Sequence, residues 1–283
     1  MEIKPLENIE FKTLYLAFSE AFKDYDIQLT KNELFTMLQR RGFVPELSFG
    51  AFDNGKLVAF TFNGIGFYNG IKTAYDTGTG TIDVYRGKGL ATRIFEFSTL
   101  FLSKNGVRNY LLEVLQHNKK AVNVYKNLGF KVSREFNYFF QDIKKIMLPQ
   151  SKLSLNYRIN LIDSFDFKEM ESFMDFNPSW QNSFDSIGRN SEGFKILGAF
   201  KENELIGFCI LEPKTGDITQ IAVDKPHRRK GIASQLVKEI IKYNKHTSLK
   251  IINTPIDCDS ITKFLKSMNI SIAGKQFEMI KKI

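Results

Sequence analysis

The chain has 283 residues, of which 43% are hydrophobic and 25% are charged. These fractions are close to those of globular proteins, so they exclude a wholly disordered or fibrous chain, and the length allows one large domain or two modest ones. The formal net charge of +9 indicates an anionic partner, or simply a need for solubility.

The residue pattern of the first half of the chain predicts secondary structure in this order: strand, helices, hairpin, strand, basic turn, helix, strand, helix, strand. Residues 50–60 form a predicted hairpin around a polar turn. After the basic turn Arg86–Gly89, apolar residues at 90, 94, 97 and 101 recur at helical spacing. Tyr110–Leu115 is the next predicted strand. Strands that alternate with helices predict an α/β sandwich.

The second half repeats this order. Residues 198–208 resemble residues 50–60, and His227–Leu236 resembles Tyr85–Ile94, with Arg-x-Lys-Gly-aliphatic-Ala in both. The same order at similar spacing indicates a tandem duplication. The short polar segment Leu148–Lys152 contains a proline and predicts the boundary. We therefore predict two domains, residues 1–150 and 151–283.

The basic turns have the pattern of an anion site. A turn that leads into a helix presents unpaired backbone N–H groups and the positive end of the helix dipole. Gly87 and Gly89 allow close approach of a diphosphate, and Lys88 and Arg93 add charge. The spacing matches neither a Walker loop nor G-x-G-x-x-G. Taken alone, the turn could equally be a solvated loop.

The Arg-x-x-Gly-x-Ala sequence at this strand–helix junction resembles the acyl-CoA pyrophosphate motif of the GNAT family of N-acetyltransferases. Further along the chain, six residues match that family's N-x-x-A-x-x-x-Y-x-x-L-G-F signature: Asn118, Ala121, Tyr125, Leu128, Gly129 and Phe130. The resemblance extends over about residues 48–138 and 197–279. It implies two tandem α/β acyltransferase domains, each a mixed, mostly antiparallel sheet flanked by helices, with acyl-CoA between splayed fourth and fifth strands.

The resemblance also implies acetyl-CoA as the cofactor and acetyl transfer to a primary amine by direct attack on the thioester. The cofactor-binding residues implied in the first half are Thr81, Ile82, Arg86, Gly87, Lys88, Gly89, Leu90, Ala91 and Asn118. Those implied in the second half are Val223, Arg228, Arg229, Lys230, Gly231, Ile232 and Ala233. The sequence departs from the family at Thr81 and Asp83, where valine and proline are usual.

Tyr125 stands where the resemblance implies the general acid, and a phenol with a pKa near 10 suits proton donation to a thiolate. Glu113 lies twelve residues earlier, a spacing seen in the similar ribosomal-protein alanine acetyltransferases, and it is the candidate base. A structural ion pair for Glu113 is equally open, and Asp76, acting through water, is the next candidate. In the second half, Leu265 aligns with Tyr125, and Cys258 with Asn118.

The second half therefore lacks the usual acid, which leaves alternatives open. The protein could be a non-catalytic acyl-CoA-binding or sensing module, or catalysis could reside in the C-terminal domain. Nucleic acid is disfavoured as a partner because the basic residues are spread among acidic ones. The acceptor stays open among a protein N-terminus, a polyamine, an aminoglycoside and an amino-acid-like metabolite, and the oligomeric state is also open.

The remaining composition bears on compartment and metal. Two cysteines without a CxxC pair favour a reducing compartment, and three scattered histidines give no metal-ligand pattern. The longest apolar runs are far below the roughly 18 residues that a membrane helix needs, and the N-terminus does not resemble a signal peptide. We predict a cytoplasmic protein with no metal and no membrane partner.

Overall fold

The computed structural model describes residues 1–25, 28–148, 157–162 and 166–283. These residues form two compact units, Met1–Arg134 together with Phe277–Ile283, and Glu135–Gln276. The predicted domain boundary between residues 150 and 151 lies outside the described residues and stays a prediction.

In the described part of the chain, the first half contains six strands and four α-helices. The strands are β1 (Glu2–Pro5), β2 (Phe49–Asp53), β3 (Lys56–Tyr68), β4 (Ile71–Thr81), β5 (Asn109–Leu115) and β6 (Lys131–Asp142). The helices are α1 (Phe11–Ala21), α2 (Lys31–Arg40), α3 (Leu90–Lys104) and α4 (Lys119–Asn127).

The described residues of the second half follow the same order. The strands are β7 (Tyr157–Leu161), β8 (Lys195–Lys201), β9 (Glu204–Glu212), β10 (Asp217–Val223), β11 (Ser248–Pro255) and β12 (Ser271–Lys282). The helices are α5 (Phe167–Ser172), α6 (Phe184–Gly188), α7 (Ile232–Ile240) and α8 (Asp259–Ser267). The predicted alternation of strands and helices is confirmed in both halves.

The sheet of the first unit is antiparallel from β1 through β4 and then changes direction. β4 runs parallel to β5, with Thr73–Tyr75 opposite Asn109–Leu111. The carboxyl-terminal parts of both strands therefore extend beyond their paired segment. The register of β4 against β3 shifts between Asp76 and Gly78, which leaves Thr77 as the extra residue of a β-bulge.

The second unit has the same pattern. β7 through β10 are antiparallel, β10 is parallel to β11 at Asp217 and Lys250, and β6 pairs antiparallel with β11. The register of β10 against β9 shifts between Ile218 and Gln220, so that Thr219 is the extra residue. Thr219 lies 142 residues after Thr77, the same offset that separates the two basic turns.

The compact units differ from the two sequence halves by an exchange of strand segments. Met279, near the end of the chain, is fully buried in the core of the first unit with Tyr110 and Leu112. Phe139, from the strand that ends the first half, is fully buried in the core of the second unit with Leu249. Each core thus needs residues from both halves of the sequence.

A buried ion pair fastens the end of the chain into the first unit. Glu278 is 2% exposed, and its carboxylate lies 2.6 Å from the Arg134 guanidinium. The carboxylate also accepts hydrogen bonds from the Ser133 hydroxyl at 2.7 Å and the Tyr68 hydroxyl at 2.9 Å. A buried carboxylate needs such partners to offset its lost hydration, so these contacts favour one position for this last segment.

Within the described residues, no helix is both long and apolar enough to cross a membrane.

Candidate active site

The basic turn of the first unit lies between β4 and α3. Gly87 and Gly89 have φ values of 75° and 71°, and α3 begins at Leu90 with no side-chain cap. Apart from each glycine and its two chain neighbours, no atom of the described chain lies within 4 Å of where a Cβ would stand, so the turn is open on that side. The first N–H groups of a helix have no intrahelical acceptor, and an anion can therefore approach them here.

The Arg86 side chain ties this turn to the rest of the unit. Its Nε donates to the Thr81 carbonyl at 3.2 Å, and its Nη2 donates to the Ala21 carbonyl at the end of α1 at 2.8 Å. Its Nη1 forms an ion pair with Asp83 at 2.8 Å. The guanidinium therefore joins the end of a strand to the end of a helix, and contact of Arg86 with a cofactor stays a prediction.

The basic turn of the second unit repeats this arrangement. Arg228 Nε donates to the Val223 carbonyl at 2.8 Å, and its Nη2 donates to the Phe173 carbonyl at 3.0 Å. Arg229 has a φ of 62° where the first unit has Gly87, and Gly231 precedes α7 with a φ of 81°. A left-handed arginine costs energy that glycine does not, so the turn geometry is kept here at a cost.

A cavity of about 400 Å³ opens beside this second turn. Its lining includes Arg228, Arg229, the residues 231–234 at the start of α7, and Lys263 and Phe264 of α8. The lining also includes Asp175, whose carboxylate forms an ion pair with Arg228 at 2.9 Å. The cavity thus combines the charges of Arg229 and Lys263 and the start of α7 with apolar residues. The predicted residues Val223, Arg229, Gly231, Ile232 and Ala233 all line it.

The structure accounts for the other predicted cofactor-binding residues of the first unit as follows. Ile82 is 2% exposed, and its N–H donates to the Val58 carbonyl at 3.0 Å. Asn118 caps α4, and its Oδ1 accepts from the Ala121 N–H at 3.2 Å. The exposed Lys88 ammonium lies 4.9 Å from the centre of the Tyr85 ring. Contact of these residues with a cofactor stays a prediction.

Tyr125 and Asp76 meet beyond the paired part of β4 and β5. The Tyr125 hydroxyl donates to Asp76 Oδ2 at 3.3 Å. Asp76 is 8% exposed, and its carboxylate also accepts from the Gly78 N–H and the Thr79 hydroxyl, each at 2.9 Å. Both hydrogen bonds depend on the bulge, because it turns the backbone between Asp76 and Gly78.

Burial sets the protonation of this pair. It raises the pKa of Asp76 to about 6, against the opposing effect of the hydrogen bonds that favour the carboxylate. Burial and the neighbouring Asp76 both raise the pKa of Tyr125 well above its ordinary value. The pair therefore holds a proton firmly on the phenol and titrates at the carboxylate near neutral pH.

A buried network and aromatic packing fix the position of the Tyr125 phenol. The Tyr125 ring packs edge-on against Phe95 and Phe130 at centroid distances of 5.9 and 5.8 Å. Phe95 also packs against Tyr110, whose hydroxyl donates to Asn63 Oδ1 at 2.6 Å. Rings held on several sides leave the phenol little freedom to rotate away from Asp76.

Glu113 lies on the other face of β5. Leu112 and Val114 pack in the cluster that contains Tyr125, and alternate strand residues point to opposite faces. The Glu113 carboxylate accepts a hydrogen bond from Tyr75, which raises the pKa of that buried phenol further above its ordinary value, although burial is the main cause. The structure therefore pairs Tyr125 with Asp76, which is the second of the two candidate bases. The role of Glu113 as base stays a prediction.

A sequence signal for Asp76 was present. Asp76 is a carboxylate inside a strand whose neighbours Ala74, Tyr75 and Thr77 are all buried. Burial of a carboxylate is costly, so such a residue is a candidate for function. Its contact with Tyr125 joins two residues that are 49 positions apart in the chain, which the sequence does not reveal.

The second unit replaces these polar side chains with apolar ones. Leu265 is the seventh residue of α8, as Tyr125 is of α4. Ile218 directly precedes the bulge residue Thr219, as Asp76 precedes Thr77. Leu265 and Ile218 are each 1% exposed in one apolar core. A carboxylate–phenol pair therefore has no counterpart at these two positions.

Comparisons with known proteins agree with this geometry. A sequence model of the acetyltransferase (GNAT) family matches residues 9–130 and 159–259. N-alpha-acetyltransferase 30 of Schizosaccharomyces pombe is 28% identical over 118 residues, which cover 40% of this chain and 79% of that protein. N-alpha-acetyltransferase MAK3 of Arabidopsis thaliana is 26% identical over 130 residues, which cover 43% and 68%.

The fold of the whole chain is also similar to a solved structure. A tandem GNAT protein from the clavulanic acid biosynthesis pathway is 12% identical with a TM-score of 0.75, and the match covers 99% of this chain and 98% of that one. This likeness confirms the predicted fold class, two tandem GNAT-type domains. The chain therefore belongs to the GNAT family of acetyltransferases, and it is an acyltransferase that transfers an acetyl group to an amine.

Proposed function

We propose that the first unit transfers the acetyl group of acetyl-CoA to a primary amine and that Tyr125 and Asp76 carry the proton chemistry. The observation that carries the proposal is the hydrogen bond between the Tyr125 hydroxyl and the buried Asp76 carboxylate. A carboxylate whose pKa is raised to about 6 suits a base near pH 7. The raised pKa of Tyr125 keeps the phenol protonated at that pH and makes it a weaker acid than the ordinary phenol that the sequence predicts. Glu113 is the second candidate for the base.

The open turn of the first unit fits the diphosphate of this cofactor. The backbone from Arg86 to Ala91 would hold the diphosphate, with Lys88 adding positive charge, and Thr81, Ile82 and Asn118 would flank the pantetheine arm. Gly87 and Gly89 support this fit because the space above both residues is open. Bound acetyl-CoA supplies the thioester that the amine attacks.

Asp76 and Tyr125 take different roles in proton transfer, as acceptor and donor respectively. An aliphatic amine is mostly protonated at pH 7, so it must lose a proton before it can act as a nucleophile. Ionised Asp76 can receive that proton at its carboxylate through a water molecule. Tyr125 holds a proton at Oη, where it is available to the sulfur as the thiol leaves. The apolar rings around Tyr125 keep water away from that proton.

The acceptor is proposed at the level of its reacting group, a primary amine. Peptides with a free N-terminus are the first acceptors to test, because two relatives are named N-alpha-acetyltransferases. A polyamine and an aminoglycoside complete the panel. We further propose a cytoplasmic location, in line with the absence of a CxxC cysteine pair.

For the second unit, we propose acyl-CoA binding without acetyl transfer. The cavity beside Arg229 supports binding of the phosphates, with Arg228, Arg229 and the residues 231–233 as the proposed contacts. Lys230 lies outside the lining, where its ammonium donates to the Pro226 carbonyl at 3.0 Å, and its contact with the cofactor stays a prediction. Leu265 and Ile218 can neither donate nor accept a proton, which argues against transfer in this unit.

The test is thiol release from acetyl-CoA in the presence of the amine panel. Tyr125→Phe removes one hydroxyl, and we expect kcat to fall by about 100-fold, within the usual contribution of a positioned acid. Tyr243→Phe is the matched control in the second unit and should keep wild-type activity. Full activity of Tyr125→Phe would remove this residue from the mechanism. Loss of thiol release in Arg229→Glu, at the turn of the second unit, would move catalysis to that unit.

A further inference from the structure

A second, small cavity of about 20 Å³ adjoins the larger cavity of the second unit. The two cavities share four lining residues: Met174, Phe176, Ile221 and Ile261. The small cavity lies at the bulge of β10, between that strand and β11, and its lining includes Ile218, Thr219 and Gln220 together with Ile252. The small cavity is therefore within reach of a ligand that fills the larger one.

Three polar atoms at this closed space are buried and lack partners within the described part of the chain. They are Asn182 Oδ1, Thr219 Oγ1 and Gln220 Oε1, on residues that are 4%, 5% and 4% exposed. The two amide groups are oriented by their other ends, because Asn182 Nδ2 donates to the Ile252 carbonyl and Gln220 Nε2 donates to the Asn182 carbonyl. Both carboxamide oxygens are thus acceptors that still need a donor.

In the first unit, the two residues that match Thr219 and Gln220 leave no side-chain acceptor unpartnered. Thr77, the bulge residue there, donates its hydroxyl to the Phe62 carbonyl at 3.1 Å. Gly78 stands where the second unit has Gln220, so no side chain is present. The unpartnered acceptors are therefore a property of the second unit and not of the shared backbone.

The size of the small cavity and the absence of charge in its lining limit the kind of ligand group that it can hold. A space of about 20 Å³ holds roughly one water-sized group. The lining residues carry no charge. Most of them are apolar, and the polar ones are neutral: Asn182, Thr219, Gln220, Asn253 and Thr254. A cation would be buried without a counter-ion, whereas a neutral hydroxyl group can donate to a carboxamide oxygen at no such cost.

We propose that the second unit selects a CoA thioester whose short acyl group carries a hydroxyl, and that Asn182, Thr219 and Gln220 form the hydroxyl subsite. This proposal rests on the proposed function, in which the turn at Arg229 binds the CoA phosphates. The acyl group would reach the bulge of β10, where its hydroxyl would donate to one carboxamide oxygen and accept a hydrogen bond from the Thr219 hydroxyl. Leu265 leaves this ligand bound and unconverted.

The experiment compares the affinities of butyryl-CoA and 3-hydroxybutyryl-CoA for the full chain by titration calorimetry, without an amine. We expect the hydroxyacyl thioester to bind about tenfold more tightly at one of the sites. Gln220→Leu and the near-isosteric Thr219→Val should each reduce this preference to less than about threefold while the affinity for CoA itself stays the same. Thr77→Val, the matched change in the first unit, should leave the preference intact.

Two results would overturn the proposed subsite while leaving the CoA site standing. One is equal affinity of the wild-type protein for both thioesters, as expected if the cavity holds only an internal water. The other is a preference that survives both Gln220→Leu and Thr219→Val. The proposed CoA site fails by a different result, namely that Arg229→Glu leaves every thioester affinity at the wild-type value. Because the first comparison needs only the wild-type protein, a variant that does not fold cannot leave the subsite undecided.

Discussion

Asp76→Asn is the substitution that most directly tests the proposed acid–base pair. Asparagine keeps the shape of the side chain and can still accept from the Tyr125 hydroxyl, but it cannot take up a proton at neutral pH. With a pKa of about 6, roughly nine-tenths of Asp76 is ionised at pH 7 and roughly one-tenth at pH 5. If ionised Asp76 is required, kcat/KM of the wild-type protein should fall about tenfold between these pH values.

The assay is the pH profile of kcat/KM for thiol release between pH 5 and 8, since this ratio reports the ionisation of the free enzyme. We expect Asp76→Asn to be roughly 100-fold less active at pH 7 and to lose the change centred near pH 6. Glu113→Gln separates the two candidate bases, because it should keep that change. An acidic limb that persists in Asp76→Asn and disappears in Glu113→Gln would refute our assignment.

The same carboxylate should make stability depend on pH. The pKa of Asp76 is raised in the folded protein from 3.8 to about 6, so the folded state binds the proton more tightly than the unfolded state does. This contribution is fully present below about pH 4 and is lost as the pH rises through about 6. Two pKa units correspond to about 3 kcal/mol, and urea unfolding at pH 4 and pH 7 should show a decrease of that order in the wild-type protein, absent from Asp76→Asn.

Two further predictions concern stability. Glu278→Ala leaves Arg134 without its buried partner and should lower the free energy of unfolding by about 3 kcal/mol in urea titrations, whereas the exposed Lys4→Ala should change it by less than about 0.5 kcal/mol. A small loss from Glu278→Ala would mean that the ion pair does not hold the last strand. Arg229→Gly relieves a left-handed arginine and should raise the free energy of unfolding by about 1 kcal/mol while weakening CoA binding several-fold; a loss of stability would show that Arg229 is not strained.

Periodicity and the repeated motif predicted most of the fold from sequence. The helix after each basic turn and the strand after each helix are local features, so hydrophobic spacing is enough to locate them. The exchange of strand segments was not predictable in this way. Met279 and Phe139 are ordinary apolar residues in strand-like runs, and the sequence does not say which core each strand joins.

The candidate site was predictable to the extent that it follows the motif. Tyr125 is predicted from the signature, and the structure shows it as a partly buried phenol beside a buried carboxylate. The choice between Asp76 and Glu113 was not predictable, because it depends on which face of the sheet each side chain occupies relative to Tyr125. Tyr75 contacts Glu113 and Asp76 contacts Tyr125, as alternation along β4 requires, but the sequence does not show on which face of the sheet Tyr125 lies.

The two units retain the same backbone devices and differ in the side chains attached to them. Each unit keeps a bulge threonine, a left-handed turn before a helix, and an arginine that ties the turn to a strand end. These devices shape a place where a phosphorylated ligand can approach helix N–H groups. Where the first unit adds Asp76 and Tyr125, the second has Ile218 and Leu265. The left-handed turn is thus present in both units whether glycine or arginine occupies it, whereas the acid–base pair is present in the first unit alone at these positions, so our proposals separate binding, in both units, from transfer, in the first.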